Sequence, residues 1–116
     1  MSDSPSFPTV QTTVRIVSAD TVFAVLGDPT RRRVLLAMAD RKPHRAKALS
    51  TISGKRFDAT LKHIIALREA GFITAEYDPT DGRRQLYTLS PSIKITDAPE
   101  GRTMDFGYCV VRAIPT

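Results

Sequence analysis

The sequence is short of cysteine and of long apolar segments. Its single cysteine, Cys109, cannot form a disulfide within the chain. No apolar run is long enough to cross a membrane, and the N-terminus lacks the charged-then-apolar pattern of a secretion leader. We therefore expect a soluble, cytoplasmic protein that has no membrane partner.

Sequence motifs of catalysis are also missing. The chain has no Gly-rich phosphate-binding loop and no nucleophile elbow, and neither His44 nor His63 stands beside a nucleophile or a carboxylate in a recognisable motif. With 116 residues and 41% hydrophobic content, the chain suits one compact domain with short appendages. These features predict a binding protein without a cofactor, and not an enzyme.

The charge of the chain is unevenly distributed. The formal net charge is +5, but residues 28–94 contain 14 Lys and Arg against 7 Asp and Glu, whereas the two flanking segments together contain 3 against 5. A local basic excess favours a polyanionic partner, because neutralising phosphates releases condensed counterions. Many basic surfaces are merely solvated, so this excess indicates nucleic acid only in combination with motifs.

Composition divides the chain into three parts. Residues 1–9 are rich in Ser and Pro and predict a disordered tail. Residues 10–92 predict one folded domain, which begins with a short half-buried strand over residues 10–17, with a helix as the alternative. Residues 93–116 predict a β-like C-terminal extension that takes part in a dimer interface, with one strand over residues 104–111.

Four helices are predicted within the central domain. Ser18 can cap the first, near residues 19–26, and Gly27 can end it in the left-handed conformation. Asp28 and Pro29 supply the cap and first residue of the second, which runs to about Ala39. The third covers residues 46–52 and the fourth covers residues 57–70.

The fourth helix has the clearest pattern. Thr60, Ile64 and Leu67 recur at steps of four and three and predict a buried stripe, which Phe57 can close at its start. At about 100° per residue, the face opposite and beside this stripe carries the candidate DNA-binding residues Lys55, Arg56, Asp58, Ala59, Leu61, Lys62 and Ile65.

Each of these candidates has a plainer interpretation beside the functional one. Lys62 can donate to guanine or phosphate oxygens, or be solvated. Asp58 can accept from a cytosine amino group, or simply stabilise the first helical turn. Leu61 and Ile65 can pack on thymine methyl groups, or belong to a wider core stripe.

A β-hairpin is predicted after the fourth helix. The β-prone residues 72–77 and 85–89 enclose a polar segment, residues 78–83, in which Gly82 permits a tight turn. Arg83 and Arg84 can contact a phosphate backbone or enter the minor groove. A short helix, a glycine-containing turn, a longer amphipathic helix and a basic hairpin are, in this order, the parts of a winged helix-turn-helix. The predicted fold is therefore an α+β winged helix-turn-helix with a β-hairpin wing and extra N- and C-terminal strands.

Two motifs resemble the ArsR-type (arsenic-repressor-like) winged-helix regulators. Residues 26–35, LGDPTRRRVL, are similar to the opening motif of that family, and residues 67–73, LREAGFI, are similar to the end of its recognition helix. Residues 81–89 resemble its wing, and the whole resemblance extends over residues 20–92. It implies a homodimer that binds double-stranded DNA at a pseudo-palindromic operator and represses transcription.

The chain departs from this family in three respects, one of which is that Leu61 and Lys62 stand at recognition-helix positions that are commonly Ser or His in the family. The metal-sensing members carry paired cysteines before the turn, or His, Asp and Glu sets on the last helix; this chain has neither, so we expect no metal site. The family usually ends in a dimerising helix, whereas residues 93–114 are β-like.

The alternative function is a winged helix that binds protein within a larger assembly. A small-molecule effector cannot be named from the sequence.

Overall fold

The structure is a computed structural model that describes residues 18–114. The predicted tail at residues 1–9 and the predicted strand at residues 10–17 lie outside this range. The elements, in chain order, are α1 (Ala19–Leu26), α2 (Pro29–Ala37), β1 (His44–Arg45), α3 (Ala46–Ser53), α4 (Phe57–Glu69), β2 (Ile73–Asp78), β3 (Asp81–Leu89), β4 (Lys94–Ala98), β5 (Gly101–Asp105) and β6 (Val110–Ala113). Among the described residues, none of the helices has the length and apolar character needed to span a membrane.

The strands form two antiparallel sheets of three strands each. The first has the order β1-β3-β2, so that the two-residue strand β1 extends the hairpin of β2 and β3. The second is a meander of β4, β5 and β6, in which Met104 lies opposite Ile95 on one side and Val111 on the other. The predicted α+β class and the order of helices and wing are confirmed.

Local hydrogen bonds begin the first two helices where the sequence predicts them. The Ser18 hydroxyl accepts from the backbone N–H of Thr21 at 3.2 Å. Asp28 Oδ1 accepts from the N–H groups of Thr30 (2.7 Å) and Arg31 (3.2 Å), and Pro29 is the first residue of α2. Both caps satisfy N–H groups that have no partner inside the helix.

The left-handed ending predicted at Gly27 is wrong. Gly27 has φ −68° and ψ −15°, which is right-handed helical geometry. The backbone leaves helical geometry only at the next residue, Asp28, which is extended (φ −94°, ψ 124°) and caps α2. The Gly27 N–H donates to the Phe23 carbonyl at 2.9 Å, as in a continuing α-helix, so no left-handed geometry is needed here. The second helix also ends earlier than predicted, at Ala37, and continues as a 3₁₀ turn over Met38–Asp40.

One hydrophobic core joins the helices to both sheets. It includes Leu35, Leu49, Phe72 and Phe106, each at most 1% exposed. The predicted stripe of α4 is confirmed, since Thr60, Ile64 and Leu67 are buried. The prediction that Phe57 closes this stripe is wrong: its side chain is 49% exposed, because at the start of α4 it lies on a surface cleft and not among the core residues.

The C-terminal segment is β-structured but differs from the single strand predicted over residues 104–111. A turn over Phe106–Cys109 interrupts it, with Gly107 at φ +91° and the Phe106 N–H donating to the Cys109 carbonyl at 2.9 Å. The resulting sheet packs on the first two helices, where Met104 and Val111 approach Leu26. Arg41 adds two hydrogen bonds, which its guanidinium group donates to the carbonyl oxygens of Ser90 and Ile93.

Candidate nucleic-acid interface

Buried hydroxyl groups hold the turn between α3 and α4. The Ser53 and Thr60 hydroxyls lie 2.9 Å apart, and both residues are at most 1% exposed. Ser53 Oγ also accepts from the Lys55 N–H at 3.1 Å, while Gly54 takes the left-handed conformation at φ +72°. Because these buried polar groups satisfy one another, they fix α4 relative to α3.

The three consecutive arginines of α2 connect the helices. Arg32 Nη1 donates to the Leu26 carbonyl at 2.6 Å, and Arg33 Nη1 donates to the Ser53 carbonyl at 2.9 Å, so each places a cation at the C-terminal end of a helix. Arg31 Nε donates to His63 Nδ1 on α4 at 3.2 Å. These contacts give the basic cluster in the first turns of α2 a structural role.

The outward face of α4 carries most of the candidate DNA-binding residues. Lys55, Arg56, Asp58, Lys62 and Ile65 are exposed, and Ala59 is half-buried. Ile65 is 54% exposed and therefore lies outside the core stripe, whereas Leu61 is half-buried and packs against the core. Asp58 lies 3.5 Å from Arg56 and accepts from the Ala59 N–H at 3.0 Å, so part of its role is local.

The wing has a shorter turn than predicted. Asp78 lies opposite Asp81, so Pro79 and Thr80 form the turn and β3 already begins at Asp81. Gly82 lies within β3 without a positive φ, so the prediction that it makes the tight turn is wrong. The short turn suffices because Asp78 Oδ1 accepts from both the Thr80 N–H (2.8 Å) and its hydroxyl (2.7 Å).

A break in the strand register leaves Arg83 and Arg84 of the wing unpaired in the sheet and exposed. The pairing jumps from Asp78–Asp81 to Tyr77–Gln85, which leaves Arg83 and Arg84 outside the β2–β3 ladder. Their side chains are 93% and 62% exposed, and their Nε atoms lie 3.7 and 3.3 Å from the Asp81 carboxylate. Exposed ion pairs of this kind are weak, so both guanidinium groups remain accessible to a stronger anion.

The base of the wing is fixed by Asp78. Hydrogen bonds from the Thr80 N–H and hydroxyl hold the pKa of the Asp78 carboxyl below its usual value, and Arg45 adds an attraction in the same direction. Arg45 lies on β1 and forms an ion pair with Asp78. The carboxylate therefore connects the start of α3 to the wing.

A cleft of about 550 Å³ separates the wing from the starts of α3 and α4. It brings together three predicted residues, Leu61, Arg83 and Arg84, and the remaining candidates do not line it. Its other lining residues, which the sequence interpretation missed, are Arg45, Ala46, Lys47, Phe57, Tyr77, Gln85 and Tyr87. Among residues 18–114, no three His, Cys, Asp or Glu side chains come together as a metal-binding group.

The helix pair α3–α4 and the β2–β3 hairpin define the class of the chain: it has the winged helix-turn-helix fold. The chain is similar to a probable transcriptional regulator from Pseudomonas aeruginosa, with a TM-score of 0.53 and 26% identity over 64% of this chain and 58% of that one. It is similar to an ArsR family transcriptional regulator, with a TM-score of 0.54 and 27% identity over 63% of this chain and 71% of the other.

A third solved structure has the same fold. It is the homodimeric winged helix-turn-helix DNA-binding domain of a possible ArsR-family regulator from Mycobacterium bovis, with a TM-score of 0.55 and 22% identity over 63% of this chain and 64% of that domain. The resemblance to ArsR-type winged-helix regulators is thus confirmed. The chain spans less than two thirds of the length of the first and third of these structures. No protein-family model and no curated protein matches it significantly.

Proposed function

We propose that the chain is a sequence-specific, double-stranded DNA-binding transcriptional regulator that acts in the cytoplasm as a homodimeric repressor. The observation that carries this proposal is the pairing of an outward face on α4 with two exposed arginines on the wing. An α-helix fits the major groove of B-DNA, and exposed cations beside it can neutralise the flanking phosphates.

Base recognition is assigned to α4. Lys62 and Asp58 lie on its exposed face and supply a donor and an acceptor, while the exposed Ile65 supplies an apolar contact. Leu61 lies at the side that faces the wing, so it is the second apolar candidate. Lys55 and Ala59, near the N-terminal end of α4, complete the set of base-reading candidates, and Arg56 is assigned to the sugar-phosphate backbone beside the groove.

The homodimer is supported by similarity to a solved structure, whereas the repressor role rests on the resemblance of the two sequence motifs to ArsR-type regulators. One similar structure is described as a homodimeric DNA-binding domain, and two are described as transcriptional regulators. A twofold dimer presents two copies of α4 to successive major grooves, which matches a pseudo-palindromic operator. Bound near a promoter, such a dimer excludes RNA polymerase.

The test is fluorescence anisotropy with the duplex upstream of the protein's own gene and with a composition-matched scramble, each over a range of salt concentrations. We expect tight, salt-sensitive binding that favours the upstream duplex. Equal binding to both duplexes at every salt would remove sequence specificity from the proposal. If neither duplex binds at low salt, the chain is instead a protein-interaction module.

Arg83→Ala tests the wing. It should weaken binding about equally for both duplexes and lower the slope of log K against log salt by about one, because one phosphate contact is lost. The matched control is Arg68→Ala, which removes an exposed arginine from the last turn of α4, outside the candidate DNA-binding set. A slope that stays the same in Arg83→Ala, or falls equally in Arg68→Ala, would refute the assignment of the wing.

A further inference from the structure

The cleft between the wing and the helices combines two kinds of lining chemistry. Four of its residues are cationic, Arg45, Lys47, Arg83 and Arg84, and three are aromatic, Phe57, Tyr77 and Tyr87. Its volume of about 550 Å³ falls within the range of about 300 to 1,000 Å³ that is typical of small-molecule sites. A DNA backbone would use the cations, but it offers no partner for the aromatic rings.

The positions of Tyr77 and Tyr87 in the cleft follow from the register of the first sheet. Tyr77 lies opposite Gln85, and Tyr87 lies two residues further along β3, so all three share the face that is turned toward the helices. Tyr87 is buried and donates to Gln85 Oε1 at 3.0 Å, which holds its ring in place at the base of the cleft. Tyr77 is 64% exposed and lines the cleft nearer to solvent.

Phe57 lines the same cleft from the first turn of α4. Its ring is 49% exposed although most large apolar side chains of the described residues are buried. Phe57 and Tyr77 line one cleft from opposite elements, a helix and a strand. A planar ring that enters between them would cover apolar surface on both and gain stacking contacts.

The cationic side of the cleft is only partly neutralised. Asp78 pairs with Arg45, and Asp81 is shared by Arg83 and Arg84. Lys47 lies in the first turn of α3, next to Arg45 and Ala46 on the wall of the cleft, and adds a positive charge there. Since two carboxylates face four cations, the cleft has a positive excess that attracts an anion.

We infer that this cleft binds a nucleoside monophosphate, with its base stacked between Phe57 and Tyr77 and its phosphate near the cationic side chains. The ligand uses both kinds of lining residue at once, which neither a plain anion nor a neutral ring does. Because Arg83 and Arg84 belong to the cleft and to the proposed DNA-binding wing, a bound nucleotide releases duplex DNA. This regulatory part rests on the proposed function, whereas nucleotide binding itself does not.

Isothermal titration calorimetry of the full chain with AMP, ribose 5-phosphate and adenosine tests the inference. AMP should bind at least about tenfold more tightly than either fragment, because stacking and charge contribute together. Tyr77→Ala should weaken AMP about tenfold or more and leave ribose 5-phosphate unchanged. The matched control is Tyr108→Ala, which removes an aromatic ring of 55% exposure from outside the cleft and should change neither titration. Thermal melting establishes that both variants are folded.

Three results would overturn the inference: equal affinities for AMP and ribose 5-phosphate, unchanged AMP binding in Tyr77→Ala, or no binding of AMP. Binding of a single-stranded oligonucleotide without AMP binding would assign the cleft to a strand and not to a free nucleotide. In a separate anisotropy titration, AMP should displace bound duplex. Duplex binding without AMP binding leaves the proposed function intact, and AMP binding without duplex binding refutes only that function.

Discussion

Replacing Phe106 should destabilise the whole domain, although this residue lies in the C-terminal segment far from the proposed interface in sequence. Phe106 is 1% exposed, and its ring centroid lies 5.0 Å from that of Phe72, which is fully buried. Removing a buried phenyl group costs about 3–5 kcal/mol. Because domains of this size are stable by only about 5–15 kcal/mol, Phe106→Ala should remove about a fifth or more of the free energy of unfolding.

Urea denaturation followed by circular dichroism measures this loss. The control is Tyr108→Ala, two residues further along, which removes an exposed ring and should change the free energy of unfolding by less than about 0.5 kcal/mol. A double-mutant cycle of Phe72→Leu and Phe106→Leu should give a coupling of about 0.5–1.5 kcal/mol from the aromatic pair. A loss below about 1 kcal/mol in Phe106→Ala, together with no coupling, would show that the second sheet does not pack on the core.

Two further predictions concern α4 and the wing. Lys62→Ala should cost about 1–3 kcal/mol on the preferred duplex and mostly spare the scramble in anisotropy. The control Lys42→Ala, which removes an exposed lysine before β1, should change neither. Equal losses on both duplexes would make Lys62 a phosphate contact. Asp78→Asn should lower the melting temperature at pH 7, since hydrogen bonds from Thr80 hold the folded-state pKa of Asp78 below its usual value. The carboxylate then stabilises the fold above its unfolded pKa near 4, and this advantage is lost as the pH falls through the lowered folded pKa. A difference from the wild type that persists unchanged at about pH 2 would contradict this linkage.

The second sheet occupies the segment that the sequence predicts to take part in a dimer interface. Its strands contribute Met104 and Phe106 to the same core as the helices. Stability measurements on this segment therefore report on the folded unit as a whole, and sedimentation is needed to test its predicted part in a dimer.

Local interactions explain which features the sequence alone determined. Ser18 and Asp28 cap helices by bonding to N–H groups two or three residues away, so their neighbours in the chain decide the outcome. The stripe of Thr60, Ile64 and Leu67 follows from helical periodicity, and the order of helices and hairpin is itself a property of the sequence.

Only the tertiary structure decided which distant groups meet. The arginines of α2 donate to acceptors as far as 32 residues away in the sequence. The periodicity of α4 predicts which face of the helix carries Phe57, but it does not predict that this side chain is 49% exposed. The cleft needs residues from β1, α3, α4 and the wing, which no local pattern relates. Its chemistry became visible only when the sheet register and helix packing brought Arg45, Phe57 and Tyr77 to one surface, because contacts across the fold depend on packing and not on sequence spacing.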